Sequence, residues 1–147
     1  MPAKHISRLK YDIESVNSVR MVKAKGGETL KELSRAVGMS EDDILSINEI
    51  YNQSSVILAE DEFVFLEKKK RSYRGDKEYH KVKEGETMES IAQRYGIRLK
   101  SLYAKNRMPK HSTTFKGIKL SIRKTVRLDE RPKFKSSKTT KRHKFLF

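Results

Sequence analysis

Apolar positions along the chain follow a helical spacing twice, and short alternating stretches lie on either side. The positions with helical spacing are Leu30, Leu33 and Val37, and then Met88, Ile91 and Tyr95. The alternating stretches that predict strands are Arg20–Lys25, Glu62–Leu66, Tyr79–Lys83 and Ile118–Arg123. Further short helices are predicted at about residues 41–48 and 99–106. The pattern therefore predicts two units, each running strand, helix, helix, strand.

The two units are copies of one sequence. A shift of 58 residues aligns residues 22–50 with 80–108 without a gap, and seven positions are then identical. The identities are Lys23/Lys81, Lys25/Lys83, Gly27/Gly85, Glu28/Glu86, Thr29/Thr87, Gly38/Gly96 and Asn48/Asn106. Because these identities fall on turn and cap positions, with apolar residues matched between them, both copies are predicted to share one fold.

The glycines and threonines of each copy mark the ends of its first helix. Gly27 and Gly85 allow a turn with positive φ, and a threonine two residues later is an N-cap residue. In the first copy Glu32 completes a capping-box pattern, whereas Ser90 leaves the second copy with only the cap. Gly38 and Gly96 fit the position that ends the helix. Asn48 and Asn106 are expected to bond to local backbone at the end of the second helix.

These observations predict an α+β chain of two small βααβ domains. Each domain has two antiparallel strands with both helices on one face. The predicted divisions are an N-terminal extension at 1–18, the first repeat at 19–67, a basic linker at 68–77, the second repeat at 78–123, and a basic, disordered tail at 124–147. The linker is expected to let the two repeats move independently.

The repeated motifs resemble the LysM family. The residues that carry the resemblance are Gly27-Glu28-Thr29-Leu30, Gly38 and Asn48-Glu49-Ile50, and then Gly85-Glu86-Thr87-Met88, Gly96 and Asn106-Arg107-Met108. Before the last strand the family usually has Pro-Gly, and this chain has Glu60-Asp61 and Lys116-Gly117 instead. The arrangement of two repeats joined by a lysine-rich connector is similar to the C-terminal LysM region of bacterial cell-wall glucosaminidases.

The resemblance implies binding of N-acetylglucosamine-containing glycans, either peptidoglycan or a chitin-like polymer, in a groove between the first turn and the loop after the second helix. The implied glycan-binding residues are Gly85, Glu86, Thr87, Met88, Met108 and Pro109, and in the first copy Gly27, Glu28, Thr29, Leu30, Ile50 and Tyr51. A glycine turn leaves backbone groups able to bond an acetamido group. Two weak sites on one polymer would raise the overall affinity.

The charge distribution suggests an alternative partner. The net charge is +15, yet residues 19–67 hold five Lys or Arg against ten Asp or Glu, whereas residues 77–123 hold twelve against four. Residues 124–147 add nine against two. An anionic polymer, including nucleic acid, could therefore bind the basic half. No nucleic-acid motif occurs in the sequence, and a structural envelope protein that binds other proteins is a third interpretation.

The sequence contains no recognisable catalytic or metal site, so a non-enzymatic protein without a cofactor is expected. The four histidines (His5, His80, His111 and His143) lack metal-ligand spacing and are expected to be exposed or half-packed. There is no cysteine. The acidic clusters at 41–43 and 60–62 are predicted to be solvated surface rather than catalytic, because the first begins a helix and the second lies in a loop.

The expected location comes from the resemblance alone. No apolar run approaches the length of about 20 residues that spans a membrane, and the first residues lack the hydrophobic stretch of a signal peptide. The resemblance implies the cell envelope or another extracytoplasmic site, which suggests that the sequence is part of a longer protein such as a cell-wall hydrolase. A monomer is expected.

Overall fold

The computed structural model describes residues 10–50 and 56–136. The chain divides into two compact units, residues 1–70 and 71–147. The elements of the first unit are β1 (Glu14–Val16), β2 (Val19–Lys23), α1 (Leu30–Val37), α2 (Glu41–Ile47) and β3 (Phe63–Phe65). Those of the second are β4 (Tyr79–Lys81), α3 (Met88–Tyr95), α4 (Leu99–Lys105), β5 (Lys119–Ser121) and a short 3₁₀ helix (Leu128–Glu130). The predicted α+β class with two βααβ units is confirmed.

The first and last strands of each unit pair antiparallel. Val22 lies opposite Val64 in the first unit, and His80 lies opposite Leu120 in the second. The first unit also has a third strand, β1, which pairs with β2 and comes from the predicted N-terminal extension. The connecting residues Asn17 and Ser18 have φ angles of 57° and 63°. Positive φ at both central residues is typical of a two-residue hairpin turn, and Asn tolerates this conformation.

The first helix of each unit begins with a complete capping box. In the first unit the Thr29 hydroxyl accepts from Glu32 N–H at 3.1 Å, and the Glu32 carboxylate accepts from Thr29 N–H at 2.9 Å. In the second unit the Ser90 hydroxyl accepts from Thr87 N–H at 2.9 Å, and Ser90 N–H donates to the Thr87 hydroxyl at 3.0 Å. The prediction that the second unit keeps only the cap was wrong, because a serine hydroxyl is long enough to accept the returning bond.

A buried asparagine joins the second helix of each unit to its last strand. Asn48 donates to Phe65 O at 2.9 Å and accepts from Phe65 N–H at 2.7 Å. Asn106 makes the same pair of bonds to Ser121, at 3.0 Å and 2.8 Å. Asn48 also donates to Ile44 O at 2.8 Å, and Asn106 to Leu102 O at 3.0 Å, so the expected bond to local backbone at the helix end is confirmed. The bonded residues are 17 positions apart in the first unit and 15 in the second, so the loop of the second unit is two residues shorter.

Each unit has its own hydrophobic core between the sheet and the two helices. The buried core of the first unit comprises Val22, Ala24, Leu30, Leu33, Ile44, Leu58 and Val64. That of the second comprises Val82, Met88, Ile91, Ala92, Tyr95, Ile97, Leu102, Tyr103, Met108, Leu120 and Ile122. Val19, Met21 and Phe65 form a smaller cluster in the first unit. Most of these positions match between the copies, so the shared apolar pattern gives the same packing twice.

The predicted basic linker is divided between the two units. Lys69 is 2% exposed in its side chain, and its ammonium lies 2.6 Å from the Glu49 carboxylate of the first unit. Tyr73 packs against the core of the second unit, and its N–H donates to Ile122 O at 2.8 Å. Lys69, near the start of the segment, and Tyr73, near its middle, are therefore held by packing rather than solvated.

The basic segment after β5 also packs on the second unit. Val126 is 9% exposed, its N–H donates to Lys105 O at 2.8 Å, and its carbonyl accepts from Arg107 Nε at 2.7 Å. Thr113 and Lys135 exchange two backbone bonds of 2.8 Å. The predicted disorder does not extend to residues 124–136, because Val126 and Phe134 provide apolar side chains that pack against the unit. The rest of the predicted tail, 137–147, lies outside the described residues.

Candidate functional site

Each unit contains the predicted glycine bend between its first strand and first helix. Gly27 has a φ of +92° and Gly85 a φ of +82°, so both occupy the left-handed region that favours glycine. A Cβ added at either residue would meet no atom within 4 Å. Both glycines thus take the left-handed conformation and open to free space, although in the first bend Gly26 also has a positive φ, of +103°.

The bend of the first unit is hydrogen-bonded to the unit's own loop. Gly27 N–H donates to Leu58 O at 2.8 Å, and Leu58 N–H donates to Glu28 O at 2.9 Å. Leu30 N–H donates to Val56 O at 2.9 Å. The backbone groups that were expected to be available for a ligand are therefore already bonded. The loop after the second helix closes the hollow beside this bend.

The bend of the second unit lacks these cross-loop bonds. Among residues 10–50 and 56–136, no partner bonds Gly85 N–H, Glu86 C=O or Met88 N–H. The shorter loop of this unit directs its backbone elsewhere, since Thr113 pairs with Lys135 of the segment after β5. Two donors and one acceptor thus remain unbonded over residues 85–88, whereas the first unit bonds the matched groups internally.

The predicted site residues separate into buried and exposed groups. Leu30, Met88 and Met108 are 0%, 1% and 5% exposed and belong to the cores, so they can offer a ligand only their backbone. Gly27, Gly85, Thr87 and Pro109 are exposed, Thr29, Glu86 and Ile50 are half-buried, and Glu28 is buried. The predicted site residue Tyr51 lies outside the described residues. Among the described site positions the accessible apolar side chains are Pro109 and, in part, Ile50.

The glutamate of each bend turns inward. Glu28 accepts from the N–H groups of Lys25 and Gly26, at 2.7 Å each, and from the Tyr11 hydroxyl at 2.6 Å. Burial raises the pKa of Glu28, but these hydrogen bonds outweigh burial and hold the pKa below its ordinary value. Burial and the bond to this carboxylate raise the pKa of Tyr11. Tyr11 precedes the first repeat, and sequence reasoning missed its part in the bend.

Glu86 has different partners at the second bend. Its carboxylate accepts from Lys83 N–H at 2.8 Å and lies 2.7 Å from His80 Nε2. Burial raises the pKa of Glu86, but the bonds from His80 and Lys83 outweigh burial, and the pKa lies below its ordinary value. His80 is 1% exposed, so the expectation of an exposed or half-packed histidine was wrong here. The alignment with Val22, a core position, was the indication in the sequence.

One residue of the second unit's loop carries an unsatisfied polar atom. Thr114 Oγ1 is buried and has no hydrogen-bond partner in the part of the chain that the structure describes. Counted back from the strand residue that each asparagine bonds, Thr114 occupies the position of Leu58 in the first unit. Leu58 is a core residue and a bonding partner of the first bend. The replacement of leucine by threonine accompanies the loss of the cross-loop bonds.

Replacing Thr114 with valine should stabilise the second unit. Thr114→Val removes the unsatisfied hydroxyl and keeps the side-chain shape, so we expect the free energy of unfolding to rise by about 1 kcal/mol. Thermal denaturation measures the change. Thr113→Val, at the exposed neighbouring position, is the control and should leave stability unchanged. A lower melting temperature for Thr114→Val would mean that the hydroxyl has a partner in solution.

Comparison with known families identifies both units. A family model described as LysM domain matches residues 22–62 and 80–112, which together make up half of the chain. The chain belongs to the LysM domain family. LysM domains are non-catalytic binding modules for N-acetylglucosamine-containing glycans such as peptidoglycan or chitin, and they typically occur in extracellular or cell-wall-associated proteins. No curated protein matches the chain.

The described residues contain neither a metal-binding cluster nor a membrane-spanning helix. Within 10–50 and 56–136, no three His, Asp or Glu side chains are grouped so that they could hold a metal ion. No helix in the same ranges combines the length and apolar character that crossing a membrane requires.

Proposed function

We propose that the chain binds N-acetylglucosamine-containing glycans through its second LysM domain, with peptidoglycan as the target. The supporting observation is the contrast between the two bends. Gly85 N–H, Glu86 C=O and Met88 N–H have no partner among the described residues, whereas the matched groups of the first domain bond to Val56 and Leu58. The chain acts as a monomeric, non-catalytic targeting module of the cell envelope, of the kind that glucosaminidases carry.

The free groups of the second bend complement an acetamido group. The acetamido carbonyl accepts from a backbone N–H of Gly85 or Met88, and the acetamido N–H donates to the Glu86 carbonyl. Each such neutral bond contributes only about 1 kcal/mol net. A single sugar would therefore bind weakly, and a longer oligomer that also contacts the loop at Met108 and Pro109 would bind more tightly. The Met108 side chain is buried in the core, so backbone bonding provides most of the recognition.

Basic side chains on the loop after α4 and on the segment after β5 favour an anionic glycan over a neutral one. The segment after β5 runs along the loop at Thr113 and the end of α4 at Lys105. Exposed basic residues on this segment and this loop are Arg107, Lys110, Lys116, Lys124, Arg127, Arg131, Lys133 and Lys135. Peptidoglycan carries carboxylates on its peptides, whereas chitin is neutral. The positive charge therefore adds a salt-dependent attraction for peptidoglycan.

The two glycines provide a matched pair of variants. Gly85→Val places a branched side chain on the exposed second bend, and Gly27→Val does the same on the first. Because both residues have positive φ and open space, both variants should lose a similar stability of about 1–2 kcal/mol. We expect only Gly85→Val to reduce retention on insoluble peptidoglycan. The measurement is a pull-down at low and high salt, with competition by soluble N-acetylglucosamine oligomers and circular dichroism to verify folding.

The same pull-down distinguishes a second candidate, binding of an anionic polymer such as nucleic acid. The basic surface supports it, and Arg131 lies 5.3 Å from the Phe134 ring centroid while Lys135 lies 5.5 Å from that of Phe115. Such binding would be eluted completely by high salt and would not be competed by the oligomers. It would also be unaffected by Gly85→Val. Retention in high salt with competition supports the glycan site instead.

A further inference from the structure

The sheets of the two domains differ by one strand. In the first domain β1 pairs with β2 on the side away from β3, so the sheet has three strands. In the second domain β4 and β5 form a sheet of two strands, and no strand of residues 10–50 or 56–136 pairs with the other side of β4. The shift of 58 residues that aligns the repeats also matches β4 with β2. The edge that β1 covers in the first domain is therefore open in the second.

The backbone bonds between β4 and β5 show which groups of β4 face the open edge. Ile122 N–H donates to Glu78 O at 3.0 Å, so the even-numbered residues of this stretch bond β5. Because alternate residues of an antiparallel strand bond opposite neighbours, the N–H and C=O groups of Tyr79 and Lys81 face away from β5. In the described part of the chain these four groups have no hydrogen-bond partner. A row of such groups at a sheet edge is a template for a further strand.

The side chains beside the open edge are exposed and basic. Side chains alternate between the two faces of a strand, and His80 is buried, so Tyr79 and Lys81 lie on the face away from the core. Tyr79 is 40% exposed, and Lys81 is also exposed. Lys119 of β5 lies opposite Lys81 on this face, and its ammonium is 4.4 Å from the Tyr79 ring centroid. The face beside the edge therefore carries two ammonium groups and one aromatic ring.

The first domain shows which side chains suit a strand at this place. Glu14 of β1 lies opposite Met21, and its carboxylate is 3.8 Å from the Lys23 ammonium. The alignment matches Met21 with Tyr79 and Lys23 with Lys81, so the second domain keeps the lysine of this ion pair. A carboxylate opposite Tyr79 would therefore reach the Lys81 ammonium in the same way. Opposite charges on neighbouring strands stabilise their pairing.

We propose that the open edge of β4 binds an extended acidic segment of a partner protein as an added antiparallel strand. The segment exchanges backbone bonds with Tyr79 and Lys81, and its carboxylate opposite Tyr79 pairs with Lys81. A second copy of the chain is a poor occupant through its own β4, because two edges that carry lysine repel each other. The second domain then has a protein-binding surface in addition to the proposed glycan site, and this surface does not depend on glycan binding.

A synthetic peptide with the sequence of residues 10–18, which contains β1, is a direct probe of this edge. In NMR spectra of the full chain, the peptide is expected to shift the amide resonances of Tyr79 and Lys81 and to slow their hydrogen exchange. The amide of the matched Met21 should not respond, because β1 already covers that edge. A control peptide with Glu14→Lys should bind about fivefold more weakly, since a like charge then faces Lys81. Edge amides that ignore millimolar peptide, or that respond equally to both peptides, overturn the proposal.

Two variants of Lys81 distinguish the backbone bonds from the charge. Lys81→Pro removes the outward N–H but none of the bonds to β5, so the sheet should form while the affinity for the peptide falls by about tenfold. Lys81→Gln keeps the N–H and should weaken binding by about fivefold at most. Undiminished binding by Lys81→Pro overturns the proposal, and the wild-type titration decides if this variant does not fold. Dimers of the chain alone with a protected Tyr79 amide would assign the edge to a second copy and would overturn it as well.

Discussion

Asn106→Ala is expected to unfold the second LysM domain and to abolish retention on peptidoglycan. Asn106 is 0% exposed and bonds both backbone groups of Ser121. Truncation leaves those two groups unpaired inside the core, and each unpaired group costs about 1–3 kcal/mol. A loss of about 3 kcal/mol is a large part of the stability of so small a domain. Thermal denaturation followed by NMR resolves which of the two domains has melted.

Asn48→Ala is the matched variant in the first domain. Asn48 makes the same bonds to Phe65, so a similar loss of stability is expected there. Because the first bend is bonded to its own loop, retention on peptidoglycan should survive the unfolding of this domain. If Asn106→Ala left retention intact while its own domain was unfolded, the glycan site would have to lie elsewhere in the chain.

The second large effect concerns the buried ion pair of the first domain. Glu49→Gln should lower the free energy of unfolding by about 3 kcal/mol, because it leaves the Lys69 charge buried without its counter-charge. The side chains of Lys69 and Glu49 are 2% and 17% exposed, and their charged atoms lie 2.6 Å apart. Burial lowers the pKa of Lys69, and the bond to Glu49 only partly offsets this effect. Chemical denaturation with urea measures the loss.

Lys69→Met distinguishes the contribution of the Lys69 charge to stability from that of its apolar stem. Methionine keeps most of the apolar stem and removes both the charge and its desolvation, so the loss should be well below that of Glu49→Gln. Equal losses for the two variants would mean that the stem of Lys69, rather than its charge pairing, stabilises the domain. The comparison also tests whether the segment after β3 is part of the folded unit.

Turn residues, helix caps and apolar spacing in the sequence were enough to predict the repeated fold. Glycines with positive φ, threonine caps and apolar residues at helical spacing act within a few residues of one another, so they can be recognised without a structure. The two asparagines were also predicted correctly to bond to backbone. Their partners on the last strands were not predictable, because those bonds join residues 15 and 17 positions apart.

The differences between the two copies were less accessible from the sequence. Whether a loop bonds to the neighbouring bend depends on loop length and path, which apolar periodicity does not encode. The closure of the first bend by Leu58, and its absence at Thr114, required coordinates. The ordered packing of the segment around Val126 was not predicted, because its many charges indicate a solvated segment. Its apolar residues Val126 and Phe134 nevertheless pack against the second unit. The Asn17–Ser18 hairpin turn, in contrast, is a local feature, because asparagine tolerates the positive φ that such a turn requires.

The internal bonding of the first bend affects how the chain behaves on a polymer. The two repeats suggested a bivalent molecule, but the unbonded backbone groups occur at one bend. A chain that binds glycan through its second domain alone can coat a glycan strand, but it cannot bridge two strands. Adding it to soluble peptidoglycan fragments should therefore give saturable binding without the turbidity that cross-linked networks produce.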